Sequence, residues 1–313
     1  MATGEDRLFI GRQAGGKTVI NALLMTTKPQ SFLMPVVSAS VGVSLAALQG
    51  PVYWPSFIAT LLGLILLHGG ANVVNDYFDY RYHVDTTEVP GGYGNESRVL
   101  IRGLLTPGQL LALGVGLYVL SVPVGIYLMT LRGMTILVLG IVGFITGVCY
   151  TARPIALKYI ALGELAVFFM FGPLIVSGAY FVQQGAFSAL AFWVSVPFGI
   201  FVALVLLANN IRDVRFDGEV GIRTIATLLG GYRAAMVYQF LVFVAYGLTC
   251  LMVALGMLGP FALLTLLSLP IAVKLMGMFR RGVPADADAK TAQLHVVFGI
   301  LLITGIQLHR IFR

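Results

Sequence analysis

Two groups of acidic residues, about half a chain apart, contain the side chains most suited to chemistry. In each group an Asn precedes an Asp by four residues, and a second Asp follows three or four residues later, as in "NVVNDYFD" and "NNIRDVRFD". The residues are Asn72, Asn75, Asp76 and Asp79 in the first group and Asn209, Asp213 and Asp217 in the second. Because residues three and four apart share a helix face, each group is predicted to form one polar stripe.

Each stripe carries an electrostatic cost that a cation would offset. Like charges one helical turn apart repel, and acidic groups near a helix C-terminus oppose the helix dipole. Carboxylate and amide oxygens are hard ligands suited to Mg²⁺, which commonly shares its coordination with water and substrate phosphates. The predicted Mg²⁺ ligands, binding directly or through water, are Asp76, Asp79, Asp213 and Asp217, with Asn72 and Asn209 assisting. The alternative interpretation is that both groups are solvated helix ends.

Basic side chains lie in the same segments as the acids, and guanidinium groups bind phosphate oxygens in a bidentate way. The residues predicted to hold a diphosphate are Lys28, Arg98, Lys158 and Arg212. For Lys28 and Arg212, the ordinary enrichment of basic residues on one membrane face explains their positions equally well. Together, the acidic and basic residues predict a Mg²⁺-diphosphate site. A prenyl diphosphate, which joins a diphosphate to a long apolar tail, would fit such a site at a membrane edge.

The elements that carry these residues are predicted to be transmembrane helices. Of the 313 residues, 58% are hydrophobic and 11% are charged, whereas about 25% are charged in soluble domains. Because a span needs about 20 apolar residues, and unpaired backbone groups are costly in lipid, an all-α bundle is predicted rather than a barrel. The nine predicted spans are 31–50, 53–75, 107–129, 133–150, 163–183, 187–208, 233–255, 258–278 and 290–309.

The distribution of charge predicts the orientation of the bundle. With nine spans, the basic residues outside the spans lie on the side of the N-terminus, except for Arg132, Arg310 and Arg313. The positive-inside rule makes the first side cytoplasmic, so the net charge of +7 describes a membrane face rather than a nucleic-acid-binding surface. We therefore predict an integral protein of a prokaryotic cytoplasmic membrane, in contact with membrane lipid. Residues 1–30 are predicted to be a cytoplasmic segment and 31–313 a single transmembrane domain.

With these motifs, the chain resembles the UbiA superfamily of intramembrane aromatic prenyltransferases, which carry an NDxxD motif and a DxxxD motif about half a chain apart. The similarity covers nearly the whole chain and is greatest to the 1,4-dihydroxy-2-naphthoate prenyltransferases of menaquinone synthesis. The segments that carry it are "NDYFDYRYHVDT", "SRVLIRGLLTP", "YTARPIALKYIALGE", "FFMFGPLIVSGAYFVQ" and "NNIRDVRFDGEVGIRTIATLLG".

The resemblance implies nine transmembrane helices around a central cavity, with two Asp-rich loops forming a cytoplasmic cap. It implies Mg²⁺ as cofactor, and a reaction in which diphosphate leaves, an allylic carbocation develops and an electron-rich aromatic carbon attacks it. The implied product is demethylmenaquinol, which has lost the carboxyl group of the acceptor. Tyr150, at the end of the fourth stretch, is a candidate for stabilising the carbocation through its ring. Tyr is also common at membrane interfaces for other reasons.

Some positions depart from the family pattern. His83 stands where a fourth acid of the first motif is usual, and Asp85 lies two residues beyond it. Ile222 stands where a Lys is common, with Arg223 directly after it. Arg153 stands where the naphthoate enzymes often have Gly, and it could reshape the acceptor pocket.

A loop, two histidines and four tyrosines lie outside the predicted ligand set. The segment "GGYGNES", residues 91–97, is predicted to be a flexible loop that orders over bound diphosphate. His68 and His309 have no partners at ligand spacing, and no role is predicted for them. Tyr77, Tyr80, Tyr82 and Tyr93 are predicted to be interface or cap residues.

Alternative functions stay open within and outside this family. Within it, the acceptor could be 4-hydroxybenzoate, homogentisate, haem or a glycerophospholipid precursor. Outside it, a cation-coupled transporter would also place acids in a helical bundle. Transporters of that kind commonly bind ions near the bilayer midplane, whereas the acids of this chain are predicted at one membrane edge.

Overall fold

The structure is a computed structural model, and it describes residues 16–84 and 98–312. Within these ranges the regular structure is helical, apart from one isolated β-bridge between Ile160 and Arg223. The first helices are α1 (Gly16–Thr27), α2 (Leu33–Ala46), α3 (Trp54–Arg81), α4 (Arg98–Ile101), α5 (Pro107–Arg132), α6 (Met134–Cys149) and α7 (Gly163–Phe169). The others are α8 (Ile175–Gln184), α9 (Ala189–Arg212), α10 (Val214–Glu219), α11 (Ile225–Leu229), α12 (Gly231–Ala254), α13 (Leu269–Arg281) and α14 (Ala287–Phe312).

Helices lie at all the predicted span positions, and eight helical segments in the described part of the chain are long and apolar enough to cross a membrane. The predicted span 133–150 corresponds to α6, which has 16 residues. At 1.5 Å per residue, α6 is about 24 Å long, which is less than the roughly 30 Å of a bilayer core. The protein is therefore an all-α integral membrane protein with eight candidate spans.

Several spans are not uniform α-helices. The first begins with a 3₁₀ turn at Pro29–Phe32, and the segment before α13 is a 3₁₀ helix at Pro260–Ser268. Between α7 and α8 the chain forms a π-helical turn, Met170–Leu174, which contains Pro173. Proline lacks the N–H that continues an α-helix, and π-turns often lie beside functional sites.

Two sets of helices position the site. The largest buried cluster joins α2, α9, α12 and α14 and includes Phe198, Phe201, Tyr238 and Phe298. On the other side, α3 packs along α5, and α2 packs along α8. The α2–α8 approach requires Gly42, because an added Cβ there would lie 2.2 Å from the Val176 carbonyl oxygen. A cavity remains between these two sets of helices.

The helix α3 is longer than its predicted span. It has 28 residues and continues six residues beyond the predicted end at 75. Asp76 and Asp79 therefore lie on its last turns, with 3% and 4% of their surface exposed. Because the helix continues unbroken past the apolar stretch, the first acidic motif lies on a helix, as its spacing predicts, and not in the Asp-rich loop that the resemblance implies.

Candidate active site

A cavity of about 470 Å³ runs between α3, α5, α6, α8 and α9. Polar side chains line one end of the cavity, and most of the remaining wall is apolar. The polar residues at that end are Ser31, His68, Asn72, Asn75, Tyr150, Lys158, Asn209 and Asp288. The far end is lined by Thr60, Leu128, Ile136 and Val182. A ligand with a polar head and an apolar tail would match this division.

Asp76 is held beside the polar end by Lys28. The Nζ of Lys28 lies 2.9 Å from Oδ1 of Asp76. Lys28 joins α1 to the following 3₁₀ turn and has a left-handed backbone, with φ of 53°. A residue other than glycine adopts this conformation at some cost. The turn directs the lysine at a carboxylate that is far away in the sequence.

Asp79 has a denser set of partners. Its Oδ2 lies 2.6 Å from the Nζ of Lys158 and accepts a hydrogen bond from Asn75 at 3.2 Å. Its Oδ1 accepts a short hydrogen bond from the hydroxyl of Tyr159. Asn75 is fixed in turn by Thr151, whose hydroxyl donates to Oδ1 of Asn75 at 2.7 Å. Asp79 is therefore tied to two residues of the cavity wall, Asn75 and Lys158.

The second pair of acids lies where α9 passes into α10. Arg212 donates to both carboxylate oxygens of Asp213, at 2.8 and 2.7 Å, and to Oδ1 of Asn209 at 2.6 Å. The backbone N–H of Asp217 donates to the carbonyl of Asp213 at 2.9 Å, so the predicted one-turn spacing is present. Burial and the charge of Asp213 raise the pKa of Asp217 to about 6, although Lys158 and Arg212 act in the opposite direction.

Two connections bring the acidic pairs to the same end of the bundle. The segment after α6 pairs with the segment after α10, because the N–H of Ala161 donates to the carbonyl of Arg223 at 2.8 Å. Lys158 and Asp79 both act electrostatically on Asp217. The acids of the two motifs are 134 or more positions apart in the sequence, since Asp79 and Asp213 are the nearest. Tertiary structure places them around one group of lysine and arginine side chains.

The acids fit a Mg²⁺ site that a substrate completes. In residues 16–84 and 98–312, no three Asp, Glu, His or Cys side chains lie close enough together to enclose a metal ion. The acids instead stand as two pairs, and Mg²⁺ commonly uses one or two carboxylates together with substrate phosphates. The raised pKa of Asp217 is consistent with this, since a cation would relieve the repulsion between the two carboxylates.

The remaining predicted site residues divide into three cases. Tyr150 lies on the cavity wall, where its ring is beside Lys158 and the asparagines. Arg98 begins α4, but its side chain lies outside the described structure, as do Asp85 and the predicted lid at 91–97. Arg153 packs its guanidinium over the ring of Tyr82, 4.5 Å from the centroid, and is not among the cavity-lining residues described.

Sequence reasoning missed several residues of this region. His68, for which the sequence predicts no role, lies on the cavity wall, 2.8 Å from the hydroxyl of Ser31. Asp288 of α14 pairs with Arg212 at 3.2 Å. Buried Glu164 accepts a hydrogen bond from Asn210 at 2.9 Å, which joins α7 to α9. A lone polar residue in an apolar stretch was the available signal for His68.

A second cavity, of about 650 Å³, lies on the other side of the α6–α7 gap. It shares five wall residues with the first cavity, which are Leu139, Thr146, Ala166, Met170 and Leu174. Exposed apolar side chains surround it, including Phe169 at 52% and Phe192 at 44% exposure. The two cavities therefore share a largely apolar wall formed by α6, α7 and the π-helical turn.

Relatives of known class match nearly the whole chain. The profile of the UbiA prenyltransferase family matches residues 33–299. A UbiA prenyltransferase domain-containing protein 1 from Danio rerio is 31% identical over 289 residues, which are 91% of this chain and 83% of the relative. The 1,4-dihydroxy-2-naphthoate octaprenyltransferase of Bacillus subtilis is 28% identical over 301 residues, which are 95% of this chain and 96% of the relative.

Solved structures share the fold. An apo UbiA homologue from Aeropyrum pernix K1 is similar with a TM-score of 0.69 at 18% identity, covering 88% of this chain and 97% of that one. A UbiA homologue from Archaeoglobus fulgidus bound to GPP and Mg²⁺ is similar with a TM-score of 0.64 at 12% identity, covering 91% and 99%. The family profile spans well over half of the sequence, so the chain belongs to the UbiA prenyltransferase family.

Proposed function

We propose that this enzyme transfers a polyprenyl group from a prenyl diphosphate to 1,4-dihydroxy-2-naphthoate, with loss of the carboxyl group, to give demethylmenaquinol. The observation that carries the proposal is the arrangement at one end of the cavity. Two acid pairs and the lysines Lys28 and Lys158 stand at the polar end, and the rest of the cavity is largely apolar. The diphosphate would occupy the polar end and the prenyl tail the apolar channel.

The proposed reaction breaks the bond between C1 of the prenyl group and the diphosphate oxygen, with the electron pair leaving on diphosphate. A ring carbon of the acceptor forms the new bond to C1, and that carbon loses its carboxyl group as carbon dioxide. Bound Mg²⁺, held by Asp76, Asp79, Asp213 and Asp217, would neutralise charge on the departing diphosphate. Lys28, Lys158 and Arg212 would add positive charge aimed at the same oxygens, and Arg98 is proposed as a fourth cation.

Other residues at the polar end would stabilise positive charge or hydrogen-bond the substrate. Tyr150 presents an aromatic ring at the polar end of the cavity, where it would stabilise positive charge developing on the prenyl group. Asn72, Asn75 and Asn209 line the same end and would hydrogen-bond the substrate or the metal-bound water. Asn75 and Asn209 are already oriented by Thr151 and Arg212.

The naphthoate acceptor is supported by the Bacillus subtilis relative, which is named as a 1,4-dihydroxy-2-naphthoate octaprenyltransferase. In the same proposal α6 completes a ninth span where the bilayer is locally thinner, and the segments at the ends of α3 and α9 form a cytoplasmic cap.

A mass spectrum of the product tests the acceptor. Purified protein receives Mg²⁺, geranylgeranyl diphosphate, and a mixture of 1,4-dihydroxy-2-naphthoate, 4-hydroxybenzoate and homogentisate. Prenylated naphthoquinol without the carboxyl group is expected, and a product from another acceptor would contradict the naphthoate assignment.

The channel has the length of a short polyprenyl tail. Along α3 the cavity wall extends from Asn75 to Thr60, which is about 22 Å of helix. An isoprene unit has four backbone bonds and an extended length of about 5 Å, by the spacing of an extended chain. The cavity is therefore about four isoprene units long, and the diphosphate would take the part beside Asn72 and Asn75, which leaves room for about three units before the tail reaches the far end. There, Arg132 donates to the carbonyls of Val182 and Gln183 at 2.6 and 2.5 Å.

Filling the channel is expected to change the preferred donor. A Cβ added at Gly143 of α6 would meet only Met170 Cε, at 3.7 Å, so Gly143→Leu places its side chain in the channel. Position 143 lies about 10 Å below Tyr150 along α6, which leaves room for two isoprene units. Transfer from geranylgeranyl diphosphate should fall at least about tenfold relative to geranyl diphosphate, the scale for steric exclusion from an apolar pocket.

The matched control for this prediction is Gly116→Leu. Gly116 lies in α5, away from the channel wall, and an added Cβ there meets nothing within 4 Å. Competition between the two donors, with the products separated by mass, gives the ratio directly. An unchanged ratio in Gly143→Leu would show that the tail lies elsewhere.

A further inference from the structure

Below the proposed diphosphate site, His68 provides a polar group in a largely apolar wall. It lies on α3 one helical turn before Asn72, which places it about 6 Å deeper in the channel. The side chain is half-buried and lines the cavity. Its ring packs edge to face against Phe32 and Phe171, with centroid distances of 5.9 and 5.4 Å. These two contacts hold the imidazole in one orientation.

The hydrogen bonds of Ser31 determine which ring nitrogen carries the proton. The hydroxyl of Ser31 donates to the carbonyl of Lys28 at 2.7 Å. The same oxygen lies 3.1 Å from Nδ2 of Asn72, which can only donate, and 2.8 Å from Nε2 of His68. A hydroxyl has one proton, and the hydrogen bond to the Lys28 carbonyl uses it. With the proton in that bond, Nε2 of His68 donates to Ser31, and we assign the tautomer of His68 from this network.

A neutral imidazole that is protonated on Nε2 has a bare lone pair on Nδ1. Among the hydrogen bonds found in residues 16–84 and 98–312, none involves Nδ1 of His68. Because His68 lines the cavity, this lone pair is an acceptor that a ligand in the channel can satisfy. The ring hydroxyl groups of an aromatic substrate are hydrogen-bond donors that would reach this nitrogen when the substrate enters the channel.

We propose that Nδ1 of His68 accepts a hydrogen bond from a ring hydroxyl of the aromatic acceptor. This assignment rests on the proposed function. It adds a contact to the aromatic substrate, whereas the residues described above would bind the prenyl diphosphate. The bond would orient the ring so that one carbon faces C1 of the prenyl group, just below the diphosphate. It would also increase the electron density of the ring as the new carbon–carbon bond forms.

The test combines an altered substrate with an altered enzyme. Each of the two monomethyl ethers of 1,4-dihydroxy-2-naphthoate keeps the electron-donating oxygen but lacks one hydroxyl donor. For the wild type, kcat/KM is expected to fall at least about tenfold with one of the two ethers, because a site that hydrogen-bonds a hydroxyl rejects analogues without it. In His68→Phe, the value for the dihydroxy acceptor should fall similarly, and the preference for hydroxyl over methoxy should disappear.

Further variants separate substrate contact from structural support. His68→Gln offers an amide oxygen in place of Nδ1 and should restore part of the preference. Because Ser31 connects His68 to Asn72 and to the Lys28 carbonyl, the KM for prenyl diphosphate is measured as well, and a larger change is expected for the aromatic acceptor. His295→Phe is the matched control, because His295 of α14 packs against Phe198 with centroids 5.7 Å apart and is not among the cavity-lining residues described.

The outcomes distinguish this inference from the proposed function. If the wild type transfers prenyl groups to the dihydroxy acceptor and to both ethers equally well, the assignment of His68 is wrong and the function stands. This result needs no variant and is therefore independent of whether His68→Phe folds. If the wild type prenylates none of the aromatic acceptors, the proposed function fails and the His68 contact fails with it.

Discussion

Replacing Asp76 or Asp213 by asparagine is expected to reduce prenyl transfer by at least about a hundredfold, the scale for removing one preorganised electrostatic group from an active site. Each carboxylate belongs to a different motif and has its own cation, Lys28 for Asp76 and Arg212 for Asp213. Asparagine keeps the shape of the side chain and removes its charge, so metal and diphosphate lose one anchor. Release of pyrophosphate in the presence of Mg²⁺ and prenyl diphosphate measures the effect.

The matched control is Asp286→Asn. Asp286 lies just before α14, is exposed, and pairs with Lys290 at 2.8 Å, so its loss should leave the rate unchanged. Thermal unfolding of the purified proteins shows whether the site variants remain folded. Wild-type rates in both Asp76→Asn and Asp213→Asn would remove the basis for the metal site.

Replacing Lys158 by methionine is expected to lower kcat/KM for the prenyl diphosphate by about a hundredfold, since the lysine would supply positive charge to the departing diphosphate. Lys158 lies on the cavity wall and stands 2.6 Å from Asp79. Methionine keeps most of the side-chain volume. Lys158→Arg should retain more activity, because a guanidinium also binds phosphate. Kinetics with varied donor concentration measure the change, and Lys290→Met, in an exposed ion pair, is the control.

A structural role for Lys158 predicts a different pattern. Breaking a buried ion pair leaves the partner charge uncompensated, so Lys158→Met alone would destabilise the protein through Asp79. If this were the entire effect, the loss of activity would vanish when rates are compared at a temperature where the wild type and Lys158→Met are both fully folded. We expect the loss of kcat/KM to persist there, because the diphosphate would still lack its cation. A wild-type kcat/KM in folded Lys158→Met would contradict a role in binding the prenyl diphosphate.

Much of the site could be read from the sequence because its residues lie in short motifs with helical spacing. Asn72, Asn75 and Asp79 were identified from one run of eight residues, and α3 carries all of them. Lys158 was predicted as a site residue because it lies outside the apolar stretches, in a chain of which only 11% of the residues are charged. Charge is costly in a membrane, so each charged residue at the edge of a span is informative.

Other features depended on contacts between distant segments. His68 stands alone in an apolar stretch, and its importance follows from Ser31, which is 37 residues away. The partnership of Tyr159 with Asp79 joins residues 80 positions apart. Arg212 was predicted as a phosphate ligand, yet it also holds Asp288 of α14. No spacing rule relates such pairs, because their proximity results from how the helices pack.

The sequence by itself determined the membrane class, the helical bundle, the family resemblance and the two acidic motifs, because hydropathy and helical spacing are local properties. Only the tertiary structure decided that α3 carries the first motif on unbroken helix, that the two acid pairs lie at the same end of the bundle, and that a second, apolar cavity shares a wall with the first. These features arise where helices that are far apart in the chain pack together, and the physical reason is that packing depends on the shapes of all the helices at once.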